Sequence, residues 1–408
     1  MPMLNPTIEC ELLYGAHNYD PLPVVLVRGE GVYVWDDAGT RYIDMMSAYS
    51  AVSHGHCHPK LIRVLQEQAA KLNIVSRAFY TDKLGAFLKH ICELTDFEKA
   101  LPMNTGAEAV ETALKAARKW AYKVKGVAKD QAEIIACTGN FHGRTIATVG
   151  MSTVPQYKDG FGPFPAGFNV IPYGDAAELE KAITKNTAAF LVEPIKGEGG
   201  IIVPPLGYLK ACAEICKKHN VLMICDEIQT GLGRTGKLLA YQHEDIKPDA
   251  IVLGKALGGG LVPVSLFLSR KEVMDVFTPG DHGSTFGGNP LAAAVGNAAL
   301  HVLIEDNLVE HAAKLGAYFK EQLKAIRSPL IIDVRGRGLL IGLEVDERYS
   351  THDICLKLLM HGVLTKETHR TVIRFAPPLI ITQSQIDTVV NALKLVFTAV
   401  EAETRYGL

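Results

Sequence analysis

Near the start of the chain β-branched and aromatic residues run together at Val32-Tyr33-Val34-Trp35. A turn follows at Asp37-Ala38-Gly39, then a short strand at Tyr42-Ile43, so residues 31–46 are predicted to form a β-hairpin. From about residue 100 the pattern changes to short runs that are apolar throughout, at 134–137, 170–172, 189–192, 221–225 and 251–253. Helical stretches at 176–184 and 208–219 separate several of them. Runs without alternation, interleaved with helices, predict a mostly parallel sheet covered on both faces. In such sheets function collects at the carboxyl ends of the strands.

Beyond Pro290 the periodicity is helical from Leu291 to about Ala325, and strands are expected near 339–345 and 371–375. A last helix is predicted from the capping pattern Thr382-Gln383-Ser384-Gln385. Its apolar positions Ile386, Val389, Val390, Leu393, Val396 and Phe397 keep the spacing of one helical face. At 408 residues the chain exceeds a single core, and no repeat, low-complexity tract or long Pro/Ser linker divides it. The expected α/β architecture has an N-terminal hairpin segment (1–45), a large α/β domain (46–300) and a small α+β domain (301–408), packed closely.

Composition narrows the function classes. An apolar share of 48% with 21% charged residues is that of an ordinary globular protein. A formal net charge of −2 argues against nucleic acid or an acidic membrane as partner. The longest apolar runs are strand-sized. Eight cysteines in 408 residues are too sparse for a disulfide scaffold. The N-terminus MPMLNPTIEC has neither a secretory nor a mitochondrial pattern, so a cytoplasmic location is expected, or the matrix if a presequence was trimmed.

Three features carry candidate chemistry. Asp226 closes the apolar run Val221-Leu222-Met223-Ile224-Cys225, where a carboxylate needs a charged or hydrogen-bonding partner. On its own it could be a strand-end cap or half of a structural ion pair. Lys255 follows another apolar run and precedes Ala256-Leu257-Gly258-Gly259-Gly260, a place that desolvates an amine and makes it nucleophilic. The plain alternative is a lysine snorkelling from a strand end. Asn104-Thr105-Gly106-Ala107-Glu108-Ala109 opens a helical pattern that runs through 111–123, and such a start either binds a phosphate or merely caps the helix. A second phosphate candidate, or simple turn, is Gly283-Ser284-Thr285-Phe286-Gly287-Gly288-Asn289-Pro290. A phosphate site, a carboxylate and a partly buried lysine on strand ends are together what pyridoxal 5'-phosphate requires.

The segments Glu193-Pro194, Asp226-Glu227-Ile228-Gln229-Thr230-Gly231, Gly233-Arg234-Thr235-Gly236 and Gly254-Lys255-Ala256 resemble those of class III aminotransferases of fold type I. The resemblance spans about residues 14–395. Within the class it is greatest to the ornithine δ-aminotransferases, through Tyr14-Gly15-Ala16-His17-Asn18-Tyr19, Ser47-Ala48-Tyr49-Ser50, Gly139-Asn140-Phe141 and Arg374-Phe375-Ala376-Pro377-Pro378.

The resemblance implies a large domain with a mostly parallel seven-stranded sheet, a small α+β domain, and a homodimer or higher homo-oligomer with shared sites. It implies that Lys255 forms the Schiff base with pyridoxal phosphate and then shuttles a proton. Asp226 would pair with the ring nitrogen and Gln229 with the ring hydroxyl, Phe141 and Ile228 would sandwich the ring, and Thr105, Gly106 and Ala107 would hold the phosphate. Ser284 and Thr285 belong to the second phosphate loop, with Thr285 reaching across from a neighbouring subunit. For L-ornithine, Tyr19 and Arg144 would hold the α-carboxylate, with Tyr49 closing the pocket. Glu198 would pair with Arg374 until 2-oxoglutarate enters; a permanent ion pair is the plain alternative, and packing roles are the alternative for Tyr19 and Tyr49.

Lys196 stands where the family more usually has glutamine and is expected to put a charge near Glu198. His142 stands where animal members carry tryptophan, a departure expected to matter little. His54, His56, Cys57 and His58 are dense, but Gly55 and Pro59 imply a tight loop and no metal site is expected. Cys212 and Cys216 are expected to pack. The competing functions are a class III transaminase for N-acetylornithine or 4-aminobutyrate, a pyridoxal-phosphate aminomutase, and a non-catalytic regulator. The last lacks any basic DNA-binding region before residue 30.

Overall fold

After a helix at Pro6–Tyr14 come three strands, β1 (Leu26–Glu30), β2 (Tyr33–Asp36) and β3 (Arg41–Asp44), paired antiparallel in sequence order. The expected turn forms because Asp36 Oδ1 accepts the N–H groups of Ala38 and Thr40 at 3.1 and 2.7 Å. The computed structural model describes residues 5–406. The first four residues of the N-terminal segment and the last two of the C-terminal unit therefore lie outside the described residues.

The apolar runs become the central sheet. Its strands are β4 (Lys99–Met103), β5 (Glu133–Cys137), β6 (Phe168–Ile171), β7 (Thr187–Val192), β8 (Leu222–Asp226), β9 (Ala250–Leu253) and β10 (Ser265–Ser269). They lie in the order β4-β10-β9-β8-β7-β5-β6. The pairings among β5 to β9 are parallel, and β10 runs antiparallel to both its neighbours. Every residue of β7, β8, β9 and β10 is buried, as continuous apolar strands require. Pro102 can sit within β4 because that strand is at the sheet's edge.

The C-terminal sheet has the order β11 (Ile331–Arg337), β12 (Leu340–Val345), β15 (Val372–Phe375) and β14 (Lys366–Thr368). The short β13 (Val363–Leu364) joins the first sheet instead, pairing parallel with β3. The helical region expected as one piece from 291 to 325 is two helices, Pro290–Glu305 and Leu308–Lys324. The break falls at Asn307, whose φ of 50° lies in the left-handed region that asparagine tolerates better than most residues.

Helix Gln383–Tyr406 begins as its capping pattern predicts. Gln385 Oε1 accepts the Thr382 N–H at 2.8 Å and Thr382 Oγ1 accepts the Gln385 N–H at 3.4 Å. All six periodic apolar positions of this helix are buried, each worth about 1.5–3 kcal/mol relative to exposure. Cys212 and Cys216 pack in the same core cluster. Among the described residues no helix is long and apolar enough to cross a membrane.

Candidate active site

The functional candidates converge because several chain segments leave the central sheet at one edge. Asp226 ends β8, and its register partner Val252 lies in β9 three residues before Lys255. Val192 ends β7 just before Glu193, and β5 leads into Phe141 and His142. β4 feeds the helix Gly106–Trp120. Side chains from all these segments line one cavity of about 190 Å³, which holds Lys255 and Asp226 among its walls.

Lys255 has φ 44°, a left-handed conformation that costs a non-glycine residue about 1–3 kcal/mol and is met most often at functional sites. Burial lowers its amine to about 8; Glu198 opposes the shift and Arg374 adds to it. A fraction of the amine is therefore neutral near physiological pH, as a nucleophile and proton carrier requires.

Asp226 is 4% exposed, and its Oδ2 accepts from His142 Nδ1 at 2.7 Å while its Oδ1 accepts the Ile228 N–H at 3.1 Å. Burial disfavours the charged imidazole of His142, but the hydrogen bond and charge of Asp226 outweigh it and raise the group. His142 is thus a partner of the central carboxylate, where its place in the chain had suggested a neutral replacement. Glu193, read before only as part of a motif, is also in the cavity wall. It accepts the Phe141 N–H at 3.0 Å and the Gly197 N–H at 3.2 Å, and burial raises it to about 7.

At the other end Thr105 caps its helix. Its hydroxyl accepts the Glu108 N–H at 3.2 Å, and Glu108 Oε2 accepts the Thr105 N–H at 2.8 Å. The N–H groups of Gly106 and Ala107 are left with no acceptor inside the helix and face the cavity with the positive end of the helix dipole. A Cβ on Gly106 would come 2.9 Å from Ile228 Cδ1, so any larger residue there would push the isoleucine side chain aside. Ser284 and Thr285 do not reach this cavity: Ser284 Oγ accepts from Asn104 Nδ2 at 2.8 Å and lines a neighbouring pocket, and Thr285 is exposed.

Arg374, 2% exposed, is paired with Glu198, whose Oε1 also accepts from Gln229 Nε2 at 3.1 Å. Burial would raise Glu198, but Arg374 and Lys255 outweigh it and hold the carboxyl below its usual range. The ring of Tyr49 lies 4.8 Å from the Arg374 guanidinium. It is delivered by a left-handed turn in which Ser47, Ala48, Tyr49 and Ser50 have φ of 43, 47, 60 and 74°. Each such residue costs about 1–2 kcal/mol, and the turn contains no glycine to relieve it. Asp44 steadies its start, accepting the N–H groups of Met46 and Ser47 at 2.8 Å and pairing with His56 at 2.7 Å. Tyr19 is 70% exposed, and exposed Arg144 stacks on Tyr157 at 3.6 Å, with no ion pair among the described residues.

One further expectation is revised. Lys196 does not bring its charge to Glu198: its Nζ donates to the Thr138 carbonyl at 3.3 Å and lies 4.8 Å from the Tyr173 ring. The dense histidines each have a separate partner, His54 the Ala299 carbonyl at 3.0 Å, His56 Asp44, and His58 Asp306 at 3.7 Å.

The residues present fit pyridoxal phosphate. Gln229 Oε1 and His142 Nε2 are buried without a protein partner, and two helix N–H groups await an anion. A cofactor with a ring hydroxyl, a ring nitrogen and a phosphate would supply a donor for Gln229 Oε1, a partner for Asp226 and an anion for the helix N-terminus, and the chain is accordingly a pyridoxal-phosphate-dependent transferase of the α/β kind. Residues 14–397 match the model of the class-III aminotransferases, and the chain belongs to that family.

It is 57% identical to an ornithine aminotransferase of an Exiguobacterium strain, over 97% of this chain and 98% of the relative. It superposes on the ornithine aminotransferase of Toxoplasma gondii, a structure with partial occupancy of pyridoxal phosphate at its active site. The TM-score is 0.96 and the identity 46%, over 98% of this chain and 95% of the other. An acetylornithine aminotransferase from Elizabethkingia anophelis gives a TM-score of 0.88 at 50% identity, over 96% and 98%.

Proposed function

We propose that the enzyme transfers the δ-amino group of L-ornithine to 2-oxoglutarate. The products are L-glutamate and glutamate 5-semialdehyde, which cyclises to pyrroline-5-carboxylate. The observation that carries this reading is the Glu198–Arg374 pair beside Lys255. An arginine neutralised by a glutamate leaves the site open to a terminal amine, and the same arginine, once released, binds the carboxylate of a keto acid. The names of the relatives in Exiguobacterium and Toxoplasma support it.

The chain's own groups divide the work. Gly106 and Ala107 bind the phosphate, with Thr105 capping their helix, while Phe141 and Ile228 fix the ring plane. Asp226, steadied by His142, would pair with the ring nitrogen and keep it protonated, and Gln229 would meet the ring hydroxyl. The bound cofactor supplies a carbonyl carbon that accepts an amino group and a protonated ring that draws off electrons from the neighbouring C–H bond. Lys255 Nζ would hold the cofactor and would take up, carry and return the proton at the δ-carbon of ornithine. Tyr19 and Arg144 orient the α-carboxylate of ornithine, with Tyr49 closing the pocket. When 2-oxoglutarate binds, Glu198 turns away, Arg374 takes the α-carboxylate and Arg144 the distal one.

We read the chain as three units, 1–45, 46–300 and 301–408, with the pairing of β13 and β3 in support. We also read Ser284 and Thr285 as serving a second copy of the chain in a homodimer or larger assembly.

The test is product analysis of the loaded enzyme with 2-oxoglutarate and either L-ornithine or N-acetyl-L-ornithine. The reading expects glutamate and pyrroline-5-carboxylate from ornithine, with at least tenfold lower turnover of the acetylated donor. Preferential turnover of N-acetylornithine would overturn it and favour the activity named for the Elizabethkingia protein.

A further inference from the structure

Arg234 lies in Gly233-Arg234-Thr235-Gly236 and is fully buried at 0% exposure. Among the described residues no carboxylate stands within ion-pair distance of it. A buried guanidinium without a counter-charge is costly, and burial lowers this one to about 9. Its geometry shows what holds it. Nη1 donates to the carbonyls of Leu339 at 3.0 Å and Pro377 at 2.5 Å, and Nη2 to Ser53 Oγ at 2.9 Å and Ser47 Oγ at 3.4 Å.

These acceptors are placed with a pattern. Ser47 begins the left-handed turn that delivers Tyr49, and Ser53 follows it, donating to the Ser50 carbonyl at 2.9 Å. Pro377 is three residues beyond Arg374 on the same segment. Ser47 Oγ donates to the Ala376 carbonyl at 2.6 Å, and the Leu379 N–H donates to the Ser53 carbonyl at 2.8 Å, so turn and segment also touch directly. One planar fork therefore grips both parts of the Tyr49–Arg374 stack from behind.

We propose that Arg234 is a positioning residue for keto-acid selection, holding the Tyr49 turn and the Arg374 segment in register so that Arg374 meets its carboxylate correctly. The inference rests on the reading of Arg374 as the 2-oxoglutarate anchor. A lysine keeps the charge but cannot span four acceptors on three segments, because the fork geometry belongs to arginine alone.

The experiment compares Arg234→Lys with the parent enzyme, both loaded with pyridoxal phosphate. The proposal expects the KM for 2-oxoglutarate to rise at least tenfold. The L-ornithine half-reaction, which uses Tyr49 at the pocket's edge but not Arg374, is slowed at least threefold less than the 2-oxoglutarate half-reaction, and cofactor affinity stays within about twofold. A role confined to general stability would lower the Tm and change both half-reactions alike, and that result, or no change in either, overturns the proposal. If Arg234→Lys does not fold, the double variant Ser47→Ala/Ser53→Ala cuts the grip on the turn side and is judged by the same split. Arg374→Gln is run beside them. An unchanged KM for 2-oxoglutarate there removes the anchor reading itself, whereas a raised KM there with an unaffected Arg234→Lys removes only the present inference.

Discussion

Replacing Glu198 by glutamine is the sharpest perturbation of the proposed switch. The carboxylate is held ionised by Arg374 and Lys255, so Glu198→Gln removes a full charge from beside a guanidinium that is 2% exposed. Glutamine keeps the length and an acceptor oxygen but leaves a buried guanidinium without its counter-charge, a loss of about 1.5–3 kcal/mol, as for a hydrogen bond to a charged group. For a keto acid or an α-amino donor to use Arg374, the pair must first open. Lowering the cost of opening by about 2 kcal/mol favours such a substrate by roughly 30-fold, at about 1.4 kcal/mol per factor of ten. On the proposed reading L-ornithine gains nothing, because its carboxylate would go to Tyr19 and Arg144. Stopped-flow half-reactions of the loaded variant with L-glutamate and with L-ornithine measure the ratio directly. The ratio of rates should move toward glutamate by at least tenfold. A ratio within about threefold of the parent would refute the switch and leave Glu198–Arg374 as a fixed structural pair.

Three further outcomes follow from the same geometry. His142→Leu removes the 2.7 Å partner of Asp226, and kcat should fall about tenfold or more with little change in KM, measured in steady state. His54 is buried and lowered by burial to about 4, so below its ordinary 6.5 the unfolded chain binds a proton that the folded one refuses. His54 thus costs about 2 kcal/mol of stability at pH 5, and melting curves should show a fall between pH 6.5 and 4 that is smaller in His54→Gln, where His243, also lowered to about 4, still contributes. Gly316→Ala would place a Cβ 2.0 Å from the Gly338 carbonyl oxygen, and thermal melting should show about 1–3 kcal/mol of destabilisation.

Much of this arrangement is legible from the chain because it rests on local patterns. β8 is apolar throughout and ends in a carboxylate, and β9 is followed at once by the lysine, so both strands and their chemistry can be read together. β4 and β10 are harder: Pro102 interrupts the first, and Ser265 and Ser269 bracket the second. Partnerships across long separations are not legible. His142 meets Asp226 across 84 residues, so its neighbourhood in the chain gives no hint of a bond. The left-handed turn at Ser47–Ser50 contains no glycine to announce it, and contacts with Asp44, Arg234 and Ala376 stabilise it. Lys196 misleads for a related reason, since proximity in sequence to Glu198 says nothing about the Thr138 carbonyl it meets.

The most direct test of the account is the visible absorbance of the purified, cofactor-loaded enzyme, titrated in turn with L-ornithine, N-acetyl-L-ornithine and 4-aminobutyrate. The account predicts a band of lysine-bound cofactor that is absent in Lys255→Ala. L-Ornithine should bleach it far more readily than the other two donors, and 2-oxoglutarate should restore it. An unchanged band in Lys255→Ala would contradict the role of that residue, and bleaching by another donor in preference to ornithine would contradict the substrate.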